Sequence, residues 1–229
     1  MDFQIKGHRP FGPVILEAKC PDFIVESLNE YTDEYADKES KNLLSRGIRN
    51  PFITSEFAEE IGLIDYMEHL GECYIKMCGR TKHGAILYDD GEEYRYDVVR
   101  LPPGDVEPKS FGQECIDGWV NIYEESDFTP VHVHGGDLAS VMILQLPEDS
   151  GGQNKIVNDA CEGNPNGSLQ YYYAIGDTTD FMIDTWTPDQ YVGMTLLFPP
   201  NLRHSYYPHK LKGQTRRSLS LNYTLLEEN

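Results

Sequence analysis

His132 and His134 stand two apart in Phe-Thr-Pro-Val-His-Val-His-Gly-Gly-Asp, and His204 follows about seventy residues later in Leu-Leu-Phe-Pro-Pro-Asn-Leu-Arg-His. On an extended strand, side chains at i and i+2 share a face, so both imidazoles of the pair can reach one ion. Neutral imidazole ligates iron, zinc, copper and nickel. Three protein ligands, one of them from a distant strand, hold a metal while leaving coordination positions open for chemistry. A lone histidine is more often an ordinary interfacial residue; the pair together with the late histidine favours a metal centre. His8, His69, His83 and His209 lack that arrangement and read as surface or structural residues. Gly135 and Gly136 follow the pair directly, which places it at a strand end. Asp137 is the nearest carboxylate and the alternative third ligand if the glycines turn it inward. The expectation is three histidines, a nitrogen-rich site that nickel, copper or zinc can also occupy.

A second polar row lies near the end of the chain. In Arg216-Arg-Ser-Leu-Ser-Leu-Asn222, strand alternation puts Arg216, Ser218, Ser220 and Asn222 on one face and Arg217, Leu219, Leu221 and Tyr223 on the other. A guanidinium offers two parallel donors to a carboxylate, and a hydroxyl two residues on adds a third, so the first row suits a buried anion. The competing reading is a solvated face with a surface arginine. Arg217 is expected outside the pocket.

The elements that must position these residues change period along the chain. After Pro21-Asp22, Ile24, Leu28, Tyr31 and Tyr35 recur at helical spacing; after Asn50-Pro51, Phe57, Ile61, Ile64, Met67, Leu70, Tyr74 and Met77 form the stripe of one second helix. Both are expected to pack on a sheet. From His83 the period becomes that of strands. A hairpin turns at Asp89-Asp90-Gly91 and ends at Pro102-Pro103-Gly104. Strands then follow at Trp119-Val-Asn-Ile-Tyr123, at His132 running on through Ser140 to Leu146, and at 169–174, 181–186, 194–198, 204–207 and 216–223. Short strands between Gly, Pro and Asp turns predict a mainly β, double-sheet jelly roll of the cupin-like, double-stranded β-helix kind. Residues 1–80 read as an N-terminal helical segment packing on the barrel, and 81–229 as the catalytic core. Residues 148–166 read as a long loop at the barrel mouth.

Composition narrows the partners. The 229 residues are 39% hydrophobic with 15 Tyr, 9 Phe and 2 Trp, enough for a substantial core. A formal charge of −19 opposes non-specific attraction to nucleic-acid phosphates or anionic lipid, and no apolar run approaches a membrane span. Cys20, Cys73, Cys78, Cys115 and Cys161 are odd in number with no Cys-x-x-Cys, and no signal-peptide pattern precedes them. The expectation is reduced thiols and a cytoplasmic location, the host cytoplasm if the chain is phage-encoded.

Across Gly118 to Tyr223, roughly half of the chain, the blocks Trp119-Val-Asn-Ile-Tyr, Pro130-Val-His-Val-His, Leu-Leu-Phe-Pro-Pro-Asn-Leu-Arg-His204 and Arg216-Arg-Ser-Leu-Ser-Leu-Asn222 together resemble the iron(II)- and 2-oxoglutarate-dependent oxygenases, especially small phage and bacterial members. The resemblance implies that His132, His134 and His204 hold iron(II). It also implies that Arg216 with Ser218 holds the distal carboxylate of the cosubstrate 2-oxoglutarate, with Asn121 and Tyr123 lining its pocket. Dioxygen, succinate and carbon dioxide complete such a reaction, whose usual outcome is hydroxylation of a small-molecule or peptidyl substrate. Most of that superfamily has an acidic residue where this chain has His134, which leaves the site one unit more positive. Two other readings share the jelly roll: a cupin-type three-histidine dioxygenase or isomerase without 2-oxoglutarate, and a non-catalytic metal-binding module. The Arg216-x-Ser218 element disfavours the first, and the lack of a fourth protein ligand disfavours the second.

Overall fold

A computed structural model describes residues 5–8, 13–35, 52–79, 85–89, 94–98, 116–148, 167–175 and 182–223. In chain order these form β1 (Ile5–His8), β2 (Ile15–Lys19), α1 (Asp22–Tyr35), α2 (Ser55–Glu60), α3 (Leu63–Gly79), β3 (Ala85–Asp89), β4 (Tyr94–Val98), β5 (Ile116–Tyr123), β6 (Thr129–His132), β7 (Leu138–Gln145), β8 (Leu169–Ile175), β9 (Met182–Trp186), β10 (Met194–Phe198), β11 (Arg203–Tyr206) and β12 (Arg216–Tyr223). The expected breaks at Asn50-Pro51, Asp90-Gly91 and Pro102-Pro103-Gly104 lie outside the described residues. So do His83, Cys115, Cys161 and nearly all of the loop expected at 148–166. Among the described residues no helix is long and apolar enough to cross a membrane, and no disulfide joins Cys20, Cys73 and Cys78 to one another.

The architecture is mainly β, with two larger antiparallel sheets and few helices. One sheet has six strands in the order β1-β2-β10-β7-β12-β5, the other four in the order β6-β11-β8-β9, and β3 with β4 makes a separate hairpin. β7 (LASVMILQ) and β10 (MTLLF) carry almost no alternation because both of their faces are covered. On one face Ile15, Val141, Ile143, Leu196 and Phe198 meet Leu169 and Tyr171 of the facing sheet. On the other, Leu16, Met142, Leu144, Leu197 and Leu219 meet the helices.

Those helices form because apolar residues recur at helical spacing and find that sheet face to cover. α1 buries Ile24, Val25, Leu28 and Thr32, and the Thr32 hydroxyl is satisfied by the Leu28 carbonyl at 2.6 Å. Tyr31 turns aside instead, stacking on Tyr35 and on Phe57. The single second helix expected from the stripe is two helices, because Gly62 adopts φ 71°. That conformation, open to glycine at little cost, ends α2 and lets α3 start at a new angle. α3 keeps the expected buried stripe of Ile64, Met67, Leu70 and Tyr74.

The second correction bears on the site. The strand expected to run from His132 to Leu146 is two strands in different sheets, β6 and β7, joined by 133–137. Gly136, at φ 82°, makes the change of direction. A Cβ added there would lie 2.4 Å from the Tyr223 carbonyl oxygen, whereas one at Gly135 would meet nothing within 4 Å. Gly136→Ala is therefore expected to lower the melting temperature by more than about 5 °C, from backbone strain and the clash together. Gly135→Ala should change stability by no more than about 0.5 kcal/mol. Thermal unfolding of the two variants side by side checks this, and equal melting temperatures would contradict the role given to Gly136.

Candidate metal and anion centre

β6 and β11 are neighbours, and their register pairs His132 directly with His204. Cross-strand partners on one face have side chains within reach of each other, and the two ring centroids lie 4.3 Å apart. His134 lies beyond the end of β6, where its backbone N–H donates to the Pro200 carbonyl at 2.8 Å. Asp137 N–H donates to the Tyr223 carbonyl at 2.7 Å, so the connection is fixed at both ends over the strand termini of the larger sheet. The three rings converge: one ring nitrogen from each of His132, His134 and His204 lies within 4.8 Å of the others. Asp137 is exposed and stands outside this cluster.

Each ring's outward nitrogen has an acceptor. His132 Nδ1 faces the Pro130 carbonyl at 2.9 Å, and His204 Nδ1 faces the Leu202 carbonyl at 3.0 Å. A carbonyl only accepts, so both rings carry the proton on Nδ1 and present a bare Nε2. His134 Nδ1 faces Asn222 Oδ1 at 2.8 Å, and its Nε2 lies 3.1 Å from His204 Nε2. With all three protons outward, two lone pairs meet at hydrogen-bond distance with nothing between them, an arrangement a shared cation relieves. The donor set fits a metal of the imidazole-loving class, with each ligand oriented by an outer partner.

Burial keeps the rings neutral, the form that ligates. Desolvation lowers the pKa of His132, with the Pro130 carbonyl partly offsetting it. It pulls His134 down to about 4 against the opposing hydrogen bond to Asn222. It takes His204 well below its ordinary value, helped by the two neighbouring histidines.

The histidines open on a cavity of about 250 Å³ that Arg216, Ser218, Ser220 and Asn222 also line. This is the polar row expected from alternation. Arg217 points the other way, to Asn29 and Asp33 of α1, as expected of a residue outside the pocket. Arg216 is 1% exposed. Its Nη1 donates to Ser218 Oγ at 3.0 Å and its Nη2 to Gln190 Oε1 at 3.3 Å, while Nε has no partner among the described residues. Its guanidinium carbon sits 4.1 Å from the Tyr206 ring centroid and 5.4 Å from that of Tyr123. Among the described residues no carboxylate pairs with it. Among the described residues that buried cation is held by neutral groups and ring faces, and an anion entering the cavity would supply a counter-charge.

The hydroxyls of Tyr171 and Tyr206 are buried without a partner among the described residues. Burial pushes both phenols up in pKa, and the Arg216 charge opposes that shift in each. Both hydroxyls therefore keep their protons, and that of Tyr206, which lines the cavity, is a donor available to an anionic ligand there. Asn121 and Tyr123 line the same cavity. Asn121 Nδ2 donates to Ser220 Oγ at 2.9 Å, and the Tyr123 hydroxyl pairs with Thr129 Oγ1 at 2.8 Å. Asn121, Tyr123, His132, His134, His204, Arg216 and Ser218, each expected at the site from sequence, thus line one cavity, and Asp137 does not.

The structure adds Tyr171, Tyr206, Gln190 and the contact from Asn222 to His134. Tyr171 pairs in register with His204, so it faces the same interior. Its alternation within Tyr171-Tyr-Tyr173 was readable, but its strand neighbour was not.

No family model matches the sequence, and no curated protein matches it either. Among solved structures, a Pseudomonas putida prolyl-4-hydroxylase aligns over 99% of this chain and 94% of its own, with a TM-score of 0.53 at 12% identity. The non-heme alpha-ketoglutarate-dependent epimerase SnoN from nogalamycin biosynthesis aligns over 90% of this chain and 74% of its own, with a TM-score of 0.51 at 10% identity. The chain shares their fold. At such low identity the likeness concerns the path of the backbone, and the chemistry must be argued from the side chains above.

Proposed function

We propose that this chain is an iron(II)- and 2-oxoglutarate-dependent oxygenase that hydroxylates a small-molecule or peptidyl substrate. The observation that carries the reading is one cavity holding two features: three converging imidazoles, and a buried arginine with no acidic partner among the described residues. A dicarboxylate that also carries a 2-oxo group answers both, with its oxo-acid end at the metal and its other carboxylate at Arg216. The finer fold assignment is a double-stranded β-helix. Successive strands from β5 to β12 pass between the two sheets, with β8 and β9 as the one consecutive pair in the same sheet. Fold likeness to a prolyl hydroxylase and to an epimerase described as alpha-ketoglutarate-dependent supports the class.

In this reading His132, His134 and His204 hold iron(II) by Nε2, and their outward Nδ1 contacts fix ring orientation. Arg216 and Ser218 bind the distal carboxylate, with the Tyr206 hydroxyl as a further donor. Asn121 lines the same pocket, and the Tyr123 and Tyr206 rings shield the guanidinium from water, which strengthens its hold on an anion. When bound, iron and cosubstrate would supply dioxygen activation: 2-oxoglutarate gives two of the four electrons as it loses carbon dioxide and takes one oxygen atom to become succinate, and the substrate C–H bond gives the other two as it takes the second oxygen atom and becomes C–OH. A cupin-type enzyme without cosubstrate gives no reason for an uncompensated Arg216.

The test is incubation of iron(II)-loaded protein with 2-oxoglutarate and dioxygen without added substrate. Slow, dioxygen-dependent formation of succinate, lost in His132→Ala, is the expected result. No succinate from iron-loaded protein in the presence of ascorbate would count against the reading.

A further inference from the structure

The three histidines are not held alike. His132 and His204 are backed by backbone carbonyls of Pro130 and Leu202, which can only accept, so those contacts favour the proton of each ring on Nδ1. His134 is backed by a side-chain amide 88 residues away in sequence, Asn222 at 2.8 Å. An amide differs from a carbonyl in one respect: it offers an acceptor at one end and a donor at the other, and it can exchange them by rotation.

That difference falls on the one ring with a conflict to resolve. His134 Nε2 and His204 Nε2 are 3.1 Å apart in nearly parallel rings, with an interplanar angle of 8°. Without a cation, two bare nitrogens at that distance repel. A proton on His134 Nε2 turns the repulsion into a hydrogen bond to His204 Nε2, and the ring's Nδ1 then becomes an acceptor needing a donor. Asn222 supplies it by presenting Nδ2 in place of Oδ1.

We propose that Asn222 is a positioning residue that switches the tautomer of His134: Nε2–H, hydrogen-bonded to His204, in the metal-free protein, and Nδ1–H, with Nε2 free to ligate, in the metal-bound one. His132 and His204 form a fixed pair, and His134 is the ligand that closes on the ion. The proton moves within one imidazole, so the switch changes neither the protonation count nor the charge of the site. The proposal rests on the three-histidine reading of the metal site.

The test uses long-range proton–nitrogen correlation NMR of the histidine rings in the full-length protein, with zinc(II) as the probe and the His134 signals identified by their loss in His134→Ala. In metal-free wild type the expected pattern is Nδ1–H at His132 and His204 and Nε2–H at His134; zinc(II) moves His134 to Nδ1–H. Asn222→Asp presents only acceptors, so it should hold a proton on His134 Nδ1 without metal and raise zinc affinity by about tenfold. Asn222→Leu presents neither and should lower affinity by about 10–100-fold, the range for loss of an outer partner. An asparagine with only a packing role would weaken zinc binding in both variants alike. Three Nδ1–H rings in metal-free wild type, or zinc affinities within threefold across the three proteins, would overturn the switch. Wild type that binds neither zinc(II) nor iron(II) would instead overturn the metal site itself. If Asn222→Leu does not fold, the wild-type tautomers and Asn222→Asp still decide.

Discussion

Arg216→Ala is expected to raise the 2-oxoglutarate concentration needed for half-saturation by more than about 100-fold, while leaving iron(II) affinity within about threefold. Arg216 is 1% exposed and among the described residues its charge is answered by Ser218, Gln190 and two tyrosine rings. Removing one member of a buried, hydrogen-bonded charge pair costs about 2–5 kcal/mol in binding, and 2.7 kcal/mol is already a factor of 100. The metal should not notice, because none of the three histidines hydrogen-bonds to Arg216; their outward partners are Pro130, Leu202 and Asn222. Arg216→Lys should recover only part of the loss, since an ammonium is a point charge without the planar fork. Paired titrations of iron(II) and 2-oxoglutarate against each variant check the separation. Equal weakening of both would mean that Arg216 supports the fold of the site and is no anion anchor.

His204→Ala should remove metal binding altogether, a loss above the 10–100-fold typical of an outer partner. His204 is 2% exposed and is the cross-strand neighbour of His132, so the ring has no room to be replaced by a mobile side chain. The sign of the stability change is the more informative part. In the metal-free protein the substitution removes a buried ring packed on Tyr171 and Phe198 together with its 3.1 Å contact to His134, so its melting temperature should fall by several degrees. Wild type should gain melting temperature on adding iron(II) or zinc(II) by mass action, and the variant should gain nothing. A variant that still shifts with metal would place the ion elsewhere.

The sequence-level reading reached the site by period-2 alternation, a local property. His132 and the row from Arg216 to Asn222 lie on strands, so their faces follow from spacing alone, and Arg217 falls on the helix side as it should. Two things were not legible. One was the division of the His132–Leu146 stretch between two sheets. Val-His-Val-His followed by Leu-Ala-Ser-Val has strand propensity throughout, and only the positive φ at Gly136, packed on Tyr223, ends one strand and begins the other. The other was every contact that depends on register between distant strands. That His132 faces His204, that Tyr171 stands beside His204, and that Asn222 meets His134 are consequences of pairings between segments about 30 to 90 residues apart. Gln190 escaped for a related reason: it lies between β9 and β10 with no periodicity to mark it, and it matters only because Arg216 reaches it.

The central claim is that one cavity takes iron(II) and 2-oxoglutarate together, and anaerobic optical titration of metal-free protein with iron(II), then with 2-oxoglutarate, tests it most directly. The account expects a visible charge-transfer band that appears only when both are present, is absent in His132→Ala, and requires at least about 100-fold more 2-oxoglutarate in Arg216→Ala. Iron(II) binding with no band at saturating 2-oxoglutarate would contradict it.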